Sequence, residues 1–221
     1  MEPIAPMALH LLLDSADVNA WDAWLPTGLF AGVTTNPTLL KRAAQPCRLE
    51  HLQGLAQRAL AHGVQELHLQ AWGSDLVGCG RALAAIAPER IWVKLPITRP
   101  GLEAARTLQR EGCRITFTAC YEPQQVLLAA ALGVDYIAPY LGRISELGRD
   151  GHAELIQMQR CIDALGSTLR LLVASLRSPS DLPRLAAEGL NTFTISPAIA
   201  EGLFSVEATE AAAAQFERDA L

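Results

Sequence analysis

The sequence predicts an α/β fold, a (β/α)8 barrel of the TIM type with an extra helix at its C-terminal end. Three observations predict it. Short apolar runs rich in β-branched residues alternate with Ala/Leu/Arg/Glu stretches of helical pattern from end to end. The apolar runs number eight, the count that closes a parallel sheet on itself. No Gly-rich dinucleotide fingerprint follows the first run, where Asp14-Ser15-Ala16-Asp17 stands instead, and this disfavours the rival open, doubly wound sheet.

The elements follow in order. The aliphatic run Ala8–Asp14 is the first strand and Ala31–Thr35 the second. Lys41 falls in a polar, loop-like stretch after Pro37. A helix is expected at Leu49–Ala61, stopped by Gly63, then a strand at Gln65–Gln70. Helix Leu76–Ala87 leads to strand Ile91–Pro96. Helix Gly101–Glu111, stopped by Gly112, leads to strand Ile115–Thr118. Helix Pro123–Leu132, stopped by Gly133, leads to strand Val134–Pro139. Helix Ala153–Leu165 stops at Gly166 before strand Leu169–Ser175, and helix Ser180–Ala187 stops at Gly189 before strand Asn191–Ser196. The last segment, 207–221, has the high helix propensity of Ala211–Ala214 and extends beyond the eighth unit, to pack on its own barrel or on a neighbour. No linker or low-complexity stretch interrupts residues 1–221, so one domain is expected.

Bulk composition excludes several classes. The net charge of −5 disfavours a nucleic-acid partner. No apolar run approaches the roughly 18 residues of a membrane span. Met1 to Met7 lacks a basic n-region, which argues against a signal peptide. Cys47, Cys79, Cys113, Cys120 and Cys161 are scattered and form no C-x-x-C pair, as expected of reduced thiols in a cytoplasmic protein. The histidines show no ligand spacing, so no metal is expected.

One residue stands out chemically. The chain carries 16 arginines but only two lysines, and one of these, Lys94, lies inside the strand Ile91-Trp92-Val93-Lys94-Leu95-Pro96. Lysine is rarely buried unless paired or working. Its amine, unlike a guanidinium, can lose its proton and attack a carbonyl. The bland alternative is a snorkelling or ion-paired side chain. Alternation puts Ile91, Val93 and Leu95 on the helix-facing side, which leaves Lys94 pointing into the barrel.

Barrel chemistry sits at the C-terminal ends of the strands. Those ends read Asp14, Thr34-Thr35-Asn36-Pro37, Gln70, Lys94, Thr118, Tyr140 with Arg143, Ser175 with Arg177, and Ser196-Pro197. Seven of them offer a hydrogen-bonding or ionisable group beside the mouth that Lys94 would face. His68 shares a face with Gln70 and lines the interior below it, either as a hydrogen-bonded core histidine or as a participant.

These motifs resemble one family. Leu13-Asp14-Ser15-Ala16-Asp17, Gly32-Val33-Thr34-Thr35-Asn36-Pro37-Thr38, Val93-Lys94-Leu95-Pro96-Ile97-Thr98, Ala138-Pro139-Tyr140 with Gly142-Arg143-Ile144, and Ala174-Ser175-Leu176-Arg177 resemble transaldolases and fructose-6-phosphate aldolases, in order along nearly the whole chain. The resemblance implies a cofactor-free class I aldolase in which Lys94 forms the Schiff base and Asp14 transfers the proton. It implies that Asn36 binds substrate hydroxyls with support from Thr34, and that Thr118 and Gln70 hold a catalytic water. It implies further that Arg143, Ser175 and Arg177 hold a sugar phosphate, and that subunits assemble into a homo-oligomeric ring. Within the family, transaldolases typically carry Glu at the position of Gln70 and Phe at that of Tyr140. This chain is similar to the aldolases at both, while Arg177 resembles the transaldolase side; Thr116 and Ser15 depart from the usual pattern. The expected reaction is cleavage or formation of fructose 6-phosphate, with transfer of the dihydroxyacetone unit to erythrose 4-phosphate as the alternative. A pyridoxal-phosphate barrel and a non-catalytic sugar-phosphate binder are the remaining readings.

Overall fold

Eight parallel strands form the barrel: β1 (His10–Asp14), β2 (Gly32–Thr34), β3 (Glu66–Gln70), β4 (Ile91–Pro96), β5 (Arg114–Cys120), β6 (Tyr136–Pro139), β7 (Arg170–Leu171) and β8 (Thr192–Ile195). The computed structural model describes residues 9–221, so Ala8 and the Met1–Met7 segment lie outside the described residues. Each strand pairs with its sequence neighbour, and β1 pairs with β8. The last seam closes just beyond β7, where the Val173 amide donates to the Thr192 carbonyl (2.9 Å) and the Thr194 amide to the Val173 carbonyl (2.9 Å). The seventh strand is thus shorter than its apolar run, with only isolated pairing at Val173 and Ala174.

Helices cover the outside: α1 (Val18–Trp24), α2 (Pro37–Arg42), α3 (Leu49–Ala61), α4 (Leu76–Ala84), α5 (Arg99–Arg110), α6 (Gln125–Leu132), α7 (Leu141–Glu146), α8 (Gly151–Ala164), α9 (Asp181–Ala186), α10 (Pro197–Gly202) and α11 (Glu207–Asp219). The five expected helix-stop glycines all adopt positive φ, from 59° to 89°. Four short helices go beyond the sequence pattern, namely α1, α2, α7 and α10, each of six or seven residues. Lys41 is therefore corrected from a loop to the last turn of α2. That helix starts because the Asn36 side chain accepts the Leu39 amide (3.0 Å) and Pro37 takes the first position, where its missing N–H is no loss. The final helix α11 buries none of its residues, and its Phe216 is 69% exposed.

Alternation sorts each strand into two faces. Ile91, Val93 and Leu95 are fully buried in the shell between sheet and helices, together with Leu83, Leu108, Phe117 and Ile137. The opposite faces fill the barrel. Leu12, Trp92, Tyr136, Ala138, Leu172 and Ala174 form a second apolar cluster there. Below it lies a polar plug. His68 is completely buried, stacked on Trp92 (ring centroids 5.5 Å apart, 10° between planes). Its Nε2 lies 2.9 Å from Glu66 Oε2 and its Nδ1 2.8 Å from Thr116 Oγ1. Glu66 also accepts from His10 and from the Tyr136 hydroxyl (3.2 Å). Burial alone would raise the Glu66 pKa, but the hydrogen bonds from His10 and His68 hold it well below the usual carboxylate range. Burial pulls the His68 pKa down against the pull of Glu66, which favours the neutral imidazole. A neutral ring donates from Nε2 to the carboxylate and accepts from Thr116 at Nδ1. His68 is thus the hydrogen-bonded core histidine.

The plug is packed against backbone at Gly32. A Cβ there would lie 2.3 Å from the Glu66 carbonyl oxygen and 3.0 Å from Glu66 Cγ. Gly32→Ala should therefore force β2 from β3 and cost about 1–3 kcal/mol. Thermal unfolding checks this, and an unchanged midpoint would mean that the sheet absorbs the methyl group.

Candidate active site

The strands' C-terminal ends surround a cavity of about 400 Å³. Of the residues predicted from sequence, Lys94, Asp14, Tyr140, Asn36, Ser175, Arg143 and Arg177 line it. Thr34 stands one layer back, behind Asp14. Thr118 is buried outside the lining and meets it through Tyr140. Gln70 ends β3 in register with Lys94 and does not line the cavity.

Lys94 is 4% exposed, and its Nζ donates to the Thr35 carbonyl at 3.0 Å. Burial lowers its pKa from the ordinary lysine value, while the Asp14 carboxylate works in the opposite direction. Asp14 feels the converse. Burial raises its pKa, opposed by Lys94, by the hydrogen bond from Thr34, and by Arg143 and Arg42. Each shift moves its group toward neutrality at a common cavity wall.

The Asp14 carboxylate is fixed by a short chain of hydroxyls. Thr34 Oγ1 donates to Asp14 Oδ1 at 2.6 Å and lies 2.5 Å from Thr194 Oγ1. Since the Thr34 hydrogen goes to the carboxylate, the Thr194 hydroxyl donates to Thr34. Register explains the contact: β1 lies between β2 and β8, with Asp14 opposite Thr34 and Leu12 opposite Thr194. Across the barrel, Thr118 Oγ1 and the Tyr140 hydroxyl are 2.8 Å apart.

Two residues beside the site hold left-handed backbone without being glycine: Ala119 (φ 58°) and Ser175 (φ 63°). Such conformations cost roughly 1–2 kcal/mol each and concentrate at working sites. Ala119 follows Thr118 in the stretch where the β5–β6 register shifts between Phe117 and Cys120.

The rim carries cations. The Arg143 guanidinium lies 4.7 Å from the Tyr140 ring centroid and donates to the Tyr121 hydroxyl (3.2 Å). Arg177 is paired with Glu146 (2.8 Å). Arg42, at the end of α2, supplies a third guanidinium that sequence reading missed along with Thr38, Glu146 and Thr194. The signals for three of them were present. Asn36-Pro37 is a helix-start pair that puts Thr38, Leu39 and Arg42 on one face, and Thr194 shares its strand face with Ser196.

The chain is a closed (β/α)8 barrel with a polar, cation-rimmed cavity at its C-terminal mouth, the face where enzymes of this fold carry their active sites. The model for the transaldolase/fructose-6-phosphate aldolase family matches residues 11–220, and the chain belongs to that family. A Caulobacter sp. (strain K31) protein named "Probable transaldolase" is 35% identical over 96% of both chains. A "Probable fructose-6-phosphate aldolase" of Streptococcus pneumoniae (strain ATCC 700669 / Spain 23F-1) is 30% identical, again over 96% of both. Among solved structures, a flavocytochrome B2 mutant superposes with a TM-score of 0.57 at 11% identity. That match covers 86% of this chain and 57% of the other, and it speaks to fold alone.

Proposed function

We propose that the protein cleaves and forms fructose 6-phosphate through a Schiff base on Lys94. The observation that carries this is the buried Lys94 amine, with its lowered pKa, opening on the same cavity as Asp14. Neutral Lys94 adds to the ketose C2 carbonyl and expels water, giving an iminium that draws electrons from the neighbouring bond. Asp14 takes the proton of the C4 hydroxyl, the C3–C4 bond breaks, and glyceraldehyde 3-phosphate leaves. The electron pair of that bond becomes an enamine on Lys94. Protonation at C3 and hydrolysis then release dihydroxyacetone and restore the amine.

The fate of the enamine separates the two activities of the family. Tyr140 lines the cavity and offers a hydroxyl beside Thr118, while Gln70, outside the lining, supplies no carboxylate base there. Together these favour delivery of water or a proton to the enamine, hence an aldolase. The second reading, transfer to erythrose 4-phosphate, is favoured by the relatives named transaldolase. Fructose 6-phosphate assayed with and without erythrose 4-phosphate decides. Dihydroxyacetone released without the second sugar supports the aldolase; turnover only in its presence makes the protein a transferase.

Asn36 binds substrate hydroxyls in this reading, and Ser175, Arg143 and Arg177 receive the phosphate. A planar guanidinium fork suits phosphate oxygens. Arg143→Ala should raise KM for fructose 6-phosphate roughly tenfold or more, a lost charge-assisted contact of about 1.5–3 kcal/mol, while sparing free dihydroxyacetone in the synthetic direction. Equal losses for both substrates would remove Arg143 from phosphate binding. A homo-oligomer completes the proposal, supported by the bare surface of α11; light scattering on the purified chain tests it.

A further inference from the structure

Arg177 does not stand free at the rim. Its Nε and Nη2 both lie 2.8 Å from Glu146 Oε1, and its Nη1 donates to the carbonyls of Ser175 (3.1 Å) and Leu176 (3.4 Å). The side chain reaches this position across Gly142. A Cβ there would lie 2.8 Å from both Cγ and Cζ of Arg177 and 2.4 Å from the Ser175 carbonyl oxygen. Gly142 stands in the first turn of α7 and Glu146 ends it, so one short helix both admits the guanidinium and captures it. Arg143 is held differently, by the Tyr140 ring and the Tyr121 hydroxyl; among the described residues no carboxylate is hydrogen-bonded to it, and Glu146 acts on it only through space.

Glu146 itself lines the cavity. A carboxylate and a phosphate seek the same fork of donors. We propose that Glu146 determines specificity: its carboxylate competes with the substrate phosphate for Arg177 and sets how much the site gains from a phosphorylated sugar. This deepens the sugar-phosphate reading and rests on it. Both side chains are about half exposed, at 52% for Arg177 and 59% for Glu146, so solvent screens the pair and phosphate can open it. Removing the carboxylate leaves Arg177 anchored by the two carbonyls with its remaining donors released. It also removes a negative charge from beside the anion.

Inorganic phosphate titrated calorimetrically into the full chain tests this. Glu146→Gln should bind phosphate roughly two- to fivefold more tightly than wild type, the range expected for an exposed ion pair. Glu146→Ala should reproduce the gain, and Arg177→Ala combined with Glu146→Gln should lose it. Unchanged or weaker binding by the single variants overturns the proposal. So does a gain that persists without Arg177, or an absence of phosphate binding in every protein. Borohydride trapping with dihydroxyacetone, run on the same preparations, reports on Lys94 separately. Loss of trapping with the phosphate pattern intact would sink the Schiff-base reading and leave the competition between Glu146 and phosphate standing.

Discussion

Lys94→Met is expected to abolish turnover of fructose 6-phosphate, by at least about 10⁴-fold, the scale of removing a covalent nucleophile. The argument begins with burial. The amine is 4% exposed and has one protein acceptor, the Thr35 carbonyl. A charged lysine held that way is costly unless its chemistry repays it. Methionine fills nearly the same volume without the charge, so the barrel should remain folded and its thermal midpoint should stay within a few degrees of wild type. The check is intact-mass analysis after borohydride treatment with dihydroxyacetone. Wild type should gain a reduced adduct and Lys94→Met none. An adduct of equal yield on the variant would move the covalent chemistry to Lys41, the other lysine, in α2. A visible pyridoxal chromophore on purified wild type would instead favour a cofactor-based mechanism.

Much of this arrangement is legible in the sequence, for reasons that can be named. The strands are visible because buried parallel strands concentrate β-branched and aliphatic residues, and the run Ile91–Pro96 coincides with β4 at both ends. Lys94 is visible because a chain that otherwise uses arginine keeps a single amine in such a run. The short helices are less legible. Six residues make under two turns, too few for periodicity to register. Arg42 and Glu146 both end such six-residue helices, α2 and α7, so periodicity alone gives them no place at the cavity. Cross-barrel contacts are a different matter. That His68 meets Glu66 follows from alternation on one strand, but that His10, Tyr136 and Arg170 join the same network depends on stagger around a closed sheet. No local pattern encodes that stagger. The Thr34–Thr194 contact spans 160 positions and belongs to the same class.

Under the proposed mechanism, Asp14→Asn should separate Schiff-base formation from carbon–carbon cleavage. Asparagine keeps the shape and can still accept from Thr34 Oγ1, so the side chain should stay in place. It cannot take a proton from the C4 hydroxyl, and loss of a positioned general base costs roughly 10²–10⁴-fold. Schiff-base formation itself should survive and extend to lower pH. The sign follows from the opposing influences on Lys94. Burial lowers its pKa and the Asp14 carboxylate raises it, so removing the carboxylate lowers it further. More of the amine is then neutral at any given pH below its ordinary value of about 10.4. Adduct formation falls as pH drops through the Lys94 pKa, so its acid limb should move down in Asp14→Asn. Cyanoborohydride trapping across a pH series measures the limb, and product release measures cleavage. Turnover within tenfold of wild type would remove Asp14 as the base, and an acid limb that moved upward would mean that its carboxylate does not act on the amine.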